Sequence, residues 1–240
     1  MLFRLAENLD LSAAARKFAR DGHVRIRNFL NRADAEAIRT HLRDRRDWVQ
    51  AIHSEGKIVE IDRPTREAFT RERRETLDAA VYGAARYGFQ YRYETLRVPD
   101  DPVDRDRMND PVADFASALS SAPCRDMLRA IVGDSAVMFA DAQATAFSPG
   151  DFLTGHDDAV EGKHRIAAYV FSLNPQWRVE WGGLLLFHGK PFEDEIDRAL
   201  VPSFNTLDLF AVPQMHSVSE VSRAAPFRRY AITGWLRSKD

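Results

Sequence analysis

The chain has 240 residues, 45% of them apolar and 10% aromatic, which suits one domain with a sizeable buried core and is short for two. A formal charge of -2 and a pI near 6.4 give no global attraction to nucleic acid or anionic lipid, so neither is an expected partner. Cys124 is the single cysteine, which excludes an internal disulfide and a cysteine-built zinc cluster. A reducing, cytoplasmic setting is expected, because the N-terminal stretch is acidic where a signal peptide needs an apolar run and no segment reaches membrane-spanning length.

LSAAARKFARDG reads as a short helix ended by Gly22, and HVRIRNFL alternates Val24 and Ile26 with charged residues as a half-buried strand does. Asn31 is then the cap of a helix through RADAEAIRTHLRDRRDWVQ, with Ala35, Ile38, Leu42 and Trp48 on its apolar stripe. KIVEIDR is a strand. Pro64 opens one long helix, TREAFTRERRETLDAAVYGAARYG, whose Phe69, Leu77 and Val81 mark a buried stripe and which Gly83 or Gly88 would end. Its RERRE run is expected to face solvent with i,i+4 pairs. FQYRYETLRV is a further strand, PDDPVDRDRMNDP a polar loop, and PVADFASALSS and PCRDMLRAIVG two short helices.

From about Met138 the chain changes to short extended runs separated by turns: MFADAQATAF, DFLTGHDD, RIAAYVFSLN, GGLLLFHG, FNTLDLFAV, MHSVSEV and RRYAITGWL. Such spacing predicts a β-sandwich or barrel with the earlier helices packed on one outer face, an α+β chain with a mainly β core. The expected organisation is a single domain over residues 1–240, with helical and strand support over about 1–137 and a β core over about 138–238.

Within GDFLTGHDDAVEGKHRIAAYVFSLN, His156 and Asp158 stand two residues apart. On an extended strand both side chains would leave the same face, so an imidazole and a carboxylate could converge on a metal ion. His216 in PQMHSVSEV is the best third ligand. Two histidines and a carboxylate on one side of an iron leave its other side open for substrate and dioxygen. His53-Ser54-Glu55 has the same form without the same company, and His23, His41, His53, His164 and His188 lack a partner pattern and read as structural or surface residues.

Alternation along the last strand puts Arg229, Thr233 and Trp235 on one face and Tyr230, Ile232 and Leu236 on the other. A guanidinium and a hydroxyl on one face can hold a carboxylate between them. An arginine in so apolar a strand is costly without an anion; a protein carboxylate would satisfy it as well as a ligand.

The order His156-x-Asp158, Trp181-Gly182-Gly183-Leu184-Leu185, His216 and RRYAITGW resembles the Fe(II)- and 2-oxoglutarate-dependent dioxygenases, in particular their prolyl-hydroxylase-like branch. The resemblance runs from about Met138 to Leu236. It implies a double-stranded β-helix, or jelly roll, that hydroxylates an unactivated carbon while 2-oxoglutarate is oxidatively decarboxylated to succinate. It also implies that His156, Asp158 and His216 ligate Fe(II), and that Arg229 and Thr233 bind the distal carboxylate of 2-oxoglutarate. Leu185 would form an apolar wall of that pocket.

Where some prolyl hydroxylases place a tyrosine against the cosubstrate, this sequence has Ser172, so a water or another group must fill the gap. Arg228 is a second claimant for the carboxylate but falls on the opposite strand face. Asp157 points away from His156. The resemblance favours a prolyl side chain of a protein or peptide as substrate, with the arginine-rich helices and FQYRYETL framing an entrance lined by Gln143, Thr145 and Phe147. A small metabolite or free amino acid is the enzymatic alternative, and a metal- or carboxylate-sensing module without turnover the non-enzymatic one. A protein-substrate enzyme should have an open groove at the iron, a small-molecule enzyme an enclosed one.

Overall fold

In the computed structural model, which describes residues 3–54, 56–189 and 194–238, helix α1 (Leu11–Asp21) starts where the Asp10 carboxylate accepts the N–H of Ala13. A cap of this kind contributes about 1 kcal/mol. The helix stops at Gly22, whose φ of +70° suits a residue without a Cβ. Strand β1 (His23–Arg27) buries Val24 and Ile26, and Asn31 caps α2 (Arg32–Asp44) by accepting from Ala33. The helix does not continue to Trp48 as expected. Arg45 turns to extended geometry and pairs with Asp47 and Asp110, while Trp48 is buried from the following segment, its indole N–H donating to Leu42 O. The next residues form β2 (Val49–Ser54), in a hairpin with β3 (Lys57–Ile61).

The single helix expected after Pro64 is two. Helix α3 (Arg63–Glu67) ends after little more than a turn, and α4 (Arg71–Ala85) restarts because Thr70 accepts the N–H of Arg73. Phe69 lies in the break under the Arg73 guanidinium, so of the expected stripe only Val81 is fully buried. RERRE faces solvent, with an Arg71–Glu75 pair. Strand β4 (Tyr91–Arg97) follows. The expected polar loop holds a helix, α5 (Pro102–Met108): Asp101 caps it, Pro102 opens it, and buried Arg105 donates to Pro99 O and Ala140 O. Helices α6 (Pro111–Ser120) and α7 (Ala122–Val132) are as expected.

The remaining strands are β5 (Phe139–Ala140), β6 (Gln143–Phe147), β7 (Phe152–His156), β8 (Arg165–Ser172), β9 (Leu185–His188), β10 (Ile196–Leu200), β11 (Thr206–Ala211), β12 (His216–Val218) and β13 (Arg229–Arg237). Strand β10 is an exposed edge whose residues lack a buried face, which is why its sequence gives no strand signal. The pairing order β1-β11-β8-β13-β6-β4-β7-β12-β9-β10 is antiparallel throughout and curls into a double-stranded β-helix. Strands β1 to β4, from the half of the chain expected to act as support, are part of this sheet.

Alternation sorts the two faces. Tyr169, Phe171, Leu207, Leu209, Tyr230, Ile232 and Leu236 pack with Ile38, Phe115 and Leu128 of the helices into the main core. Each such side chain contributes roughly 1.5–3 kcal/mol when fully buried. On the opposite face Ala168, Val170, Phe210 and Ala231 pack with Leu185 and Phe187 of β9. The helices therefore seal one side of the roll, leaving its interior to the site. At Gly234 any Cβ would lie 2.1 Å from Asp141 O, so β13 can approach that chain only with glycine.

Candidate metal centre

The register of β12 against β7 places His216 directly opposite His156, with ring centroids 4.1 Å apart. Asp158 reaches them by a route that strand alternation does not provide. Strand β7 ends at His156, and Asp158 sits in the turn beyond with φ of +63°, a conformation aspartate tolerates better than most residues. Its two carboxylate oxygens lie 3.5 Å from His156 Nε2 and 3.5 Å from His216 Nε2. The three side chains thus form one cluster of donor atoms, all within 4.8 Å of one another.

The hydrogen bonds decide which nitrogen faces inward. His156 Nδ1 lies 3.0 Å from Thr154 O, and His216 Nδ1 lies 2.7 Å from Gln214 O. A carbonyl only accepts, so each Nδ1 carries a proton and each ring turns its Nε2 towards Asp158. Burial, and then the neighbouring His156, hold the His216 imidazole below its ordinary pKa and so favour its neutral form. Two imidazole lone pairs and a carboxylate facing one another fit a divalent cation at their centre.

Arg229 begins β13 and is 1% exposed, yet its Nε has no hydrogen-bond partner. The nearest protein carboxylate able to satisfy it, Asp208, is engaged elsewhere: Arg25 forks onto it at 2.7 and 2.8 Å. Burial pulls Arg229 down to about 10, against the opposing pull of Asp208. Gly183, at φ +62°, makes room for this side chain, since a Cβ there would meet Arg229 Cδ at 3.0 Å. Arg228 lies on the other face and pairs with Glu94. A buried, unbonded guanidinium fits the carboxylate of a small anion such as 2-oxoglutarate.

All six residues singled out in the sequence, His156, Asp158, His216, Arg229, Thr233 and Leu185, line one cavity of about 610 Å³, together with Gln143, Thr145 and Phe147. Residues 142–237 match the family described as the 2OG-Fe(II) oxygenase superfamily. Over that stretch, less than half of the chain, the sequence is similar to that superfamily. Its fold is shared with a prolyl-4-hydroxylase of Pseudomonas putida at 17% identity and TM-score 0.59, over 96% of this chain and 100% of that one. A Trichoplax adhaerens prolyl hydroxylase, solved in complex with a hypoxia inducible factor oxygen degradation domain peptide fragment, gives 17% identity and TM-score 0.62 over 95% and 89%. The epimerase SnoN from nogalamycin biosynthesis gives 11% identity and TM-score 0.57 over 95% and 86%. A comparison with curated proteins finds no match. The cofactors of this oxygenase are Fe(II) and 2-oxoglutarate, with dioxygen.

Other parts of the oxygenase site were not foreseen. Arg165 donates from Nη1 to Asp158 O at 2.9 Å, and its guanidinium lies 3.5 Å over the Trp235 ring. It holds the turn that carries Asp158. A register shift between Leu236 and Arg237 in the β8–β13 pairing breaks alternation next to Arg165, so sequence period gives no sign of this role. An aromatic ladder also crosses the cavity wall: His156–Phe89, Phe89–Tyr91, Tyr91–Tyr93 and Tyr93–Phe147, each 5.1 to 5.6 Å apart, with Arg229 over Phe147. Alternation in FQYRYET could have shown that Phe89, Tyr91 and Tyr93 share a face.

Ser172 is buried, has no hydrogen-bond partner and is not among the residues lining the cavity, whereas the half-buried Tyr93 is. Burial pushes the Tyr93 phenol up to about 12. The arginine-rich helices do not frame the entrance; no residue of α2 or α4 lines the cavity. Asp157 accepts from Ala159 N at the turn. Of the remaining histidines, His23 stacks on Phe187, His41 lies beside Arg45, His188 bonds Ser217, and His53 packs on Phe89 and Tyr91. Glu55, of the second His-x-acid pair, lies outside the described residues.

Proposed function

We propose that this oxygenase hydroxylates a prolyl residue of a protein or peptide, with His156, Asp158 and His216 as iron ligands and Arg229 with Thr233 as the grip on the distal carboxylate of 2-oxoglutarate. Leu185 forms the apolar wall beside that grip. One domain carries the activity, the roll from about 138 to 238 providing the ligands and β4 completing the wall. The observation that carries the reading is the coexistence, in one cavity, of a two-histidine, one-carboxylate cluster and a buried guanidinium whose Nε has no hydrogen-bond partner.

When bound, iron would let dioxygen oxidise 2-oxoglutarate and the substrate together, one oxygen atom entering succinate as carbon dioxide leaves and the other entering the C–H bond as hydroxyl. The chain's own side chains position and exclude water. Thr154 O and Gln214 O each accept from an Nδ1 and so orient the two imidazoles with both Nε2 atoms towards Asp158. Arg165 fixes Asp158 through its backbone carbonyl. Arg229 and Thr233 set the depth at which a 2-oxo acid lies, and Leu185, Ala168, Val170 and Phe210 keep that end apolar. No side chain is required as a general base.

The peptide substrate is supported by the mouth. Ile58, Phe89 and Val160, contributed by β3, the segment before β4 and the turn after β7, all line the cavity and are 51%, 42% and 50% exposed. Three exposed apolar residues around one opening suit a partner larger than the cavity itself. The test is incubation of the Fe(II)-loaded protein with 2-oxoglutarate and a library of proline-containing peptides, followed by mass spectrometry. The expected outcome is one added oxygen on a prolyl ring, matched by succinate. Succinate formed with free amino acids or metabolites and never with peptides would replace this reading with the small-molecule one.

A further inference from the structure

A second cavity, of about 240 Å³, lies on the opposite face of β13 from Arg229, because Arg228 and Tyr230, which line it, alternate with Arg229 along the strand. Two more of its residues, Arg39 and Arg43, come from α2. On that helix Arg32 meets Glu36 one turn on at 2.8 Å, but Arg39 and Arg43, also one turn apart, have no acid between them and repel each other. Arg39 makes no hydrogen bond or ion pair among the described residues, and Arg43 meets only the exposed carboxylate of its neighbour Asp44. Arg228 shares the Glu94 carboxylate with Arg66, and its Nε is buried without a hydrogen-bond partner.

Three arginines therefore line a cavity to which no described acidic residue contributes. The rest of its wall combines the amides Asn174 and Gln176 with aromatic and prolyl residues, Trp177 and Phe227 among them. Trp177 is held by its indole N–H on Gly182 O and stands edge-on to Trp181, which packs against Phe227, itself 48% exposed. Arginines around one cavity offer forked donors to a carboxylate or a phosphate, and aromatic faces accept a planar ring. Drug-sized ligands occupy roughly 300–1,000 Å³, so this cavity suits one ring with its anionic group.

We propose that this cavity is a binding site for a small organic anion, a carboxylate or phosphate monoester borne on a planar ring, held by Arg39, Arg43 and Arg228 with its ring against Trp177 and Phe227. The site is independent of the iron and of the reading of the substrate. Calorimetric titration of the metal-free protein with phenyl phosphate and with benzoate tests it, and benzyl alcohol serves as the neutral control. Saturable binding of at least one anion is expected, with none of the alcohol, an at least tenfold weakening in Arg39→Ala/Arg43→Ala, and a smaller loss in Arg39→Lys/Arg43→Lys. Whichever anion binds more tightly identifies the group the site is built for. No saturable binding of either anion, or equal affinity in the two double variants and the parent, would overturn the proposal. Both pairs sit at the helix surface, so an unchanged thermal midpoint verifies that the variants are folded.

Discussion

A buried arginine costs several kcal/mol unless something meets its charge, and in Arg229 that cost is left standing by the protein itself. Asp208 could have met it, but its two oxygens are held by Arg25. The two possible roles of Arg229 therefore separate cleanly. If it were a structural bridge, removing it would destabilise the fold by about 3–5 kcal/mol. As the grip on 2-oxoglutarate, Arg229→Met leaves the thermal midpoint of the ligand-free protein unchanged or higher, and weakens 2-oxoglutarate binding by roughly 10- to 100-fold, the loss expected for one charge-assisted pair. Differential scanning calorimetry and a 2-oxoglutarate titration of the same variant check both halves. Arg229 was legible in the sequence because a charged residue in an apolar strand needs an explanation, and alternation gave its face. Arg165 was not, since the register shift that turns it inward is a property of the pairing of two strands and leaves no mark on either one alone.

At the scale of elements, the metal cluster depends on a turn. His156 and His216 are fixed by the β7–β12 register, whereas Asp158 stands outside any strand at positive φ, in a segment that runs from Asp157 to His164 before β8 begins. The expectation that the pair at 156 and 158 would converge was met, but the reason lies in the turn geometry and in Arg165. That difference makes a prediction. Arg165→Met should weaken Mn(II) or Fe(II) binding by about 10- to 100-fold in the absence of substrate, the usual scale for losing a group that orients a metal ligand, and Arg165→Lys should recover part of it by keeping a donor to Asp158 O. Equal metal affinity in Arg165→Met and the parent would show that the turn holds Asp158 without help. Helices α2, α3 and α5 teach a related lesson. Their ends are set by caps and by arginines that leave the helix for distant acids, Arg45 to Asp110 above all, and apolar period alone extends or joins such helices wrongly.

For the whole molecule, the roll and the gathering of His156, Asp158 and His216 were legible because they depend on local alternation and on residue types that are costly elsewhere. The insertion of β4 between β6 and β7 was not, since pairing between strands this far apart in the chain is written in no local pattern. Phe89, Tyr91 and Tyr93 enter the site through that insertion, so the wall that faces the substrate belongs to the half of the chain that sequence alone assigned to support. Among the described residues no helix is long and apolar enough to cross a membrane. On the reading proposed above, a two-histidine, one-carboxylate centre and a 2-oxo acid grip act together within this roll. Anaerobic titration of the metal-free protein with Fe(II) and then 2-oxoglutarate, followed by visible absorption, tests it most directly. A band that needs both additions, persists in His53→Ala and vanishes in His216→Ala is the predicted result. A band that survives His216→Ala, or none at all from protein shown separately to have bound iron, would contradict it.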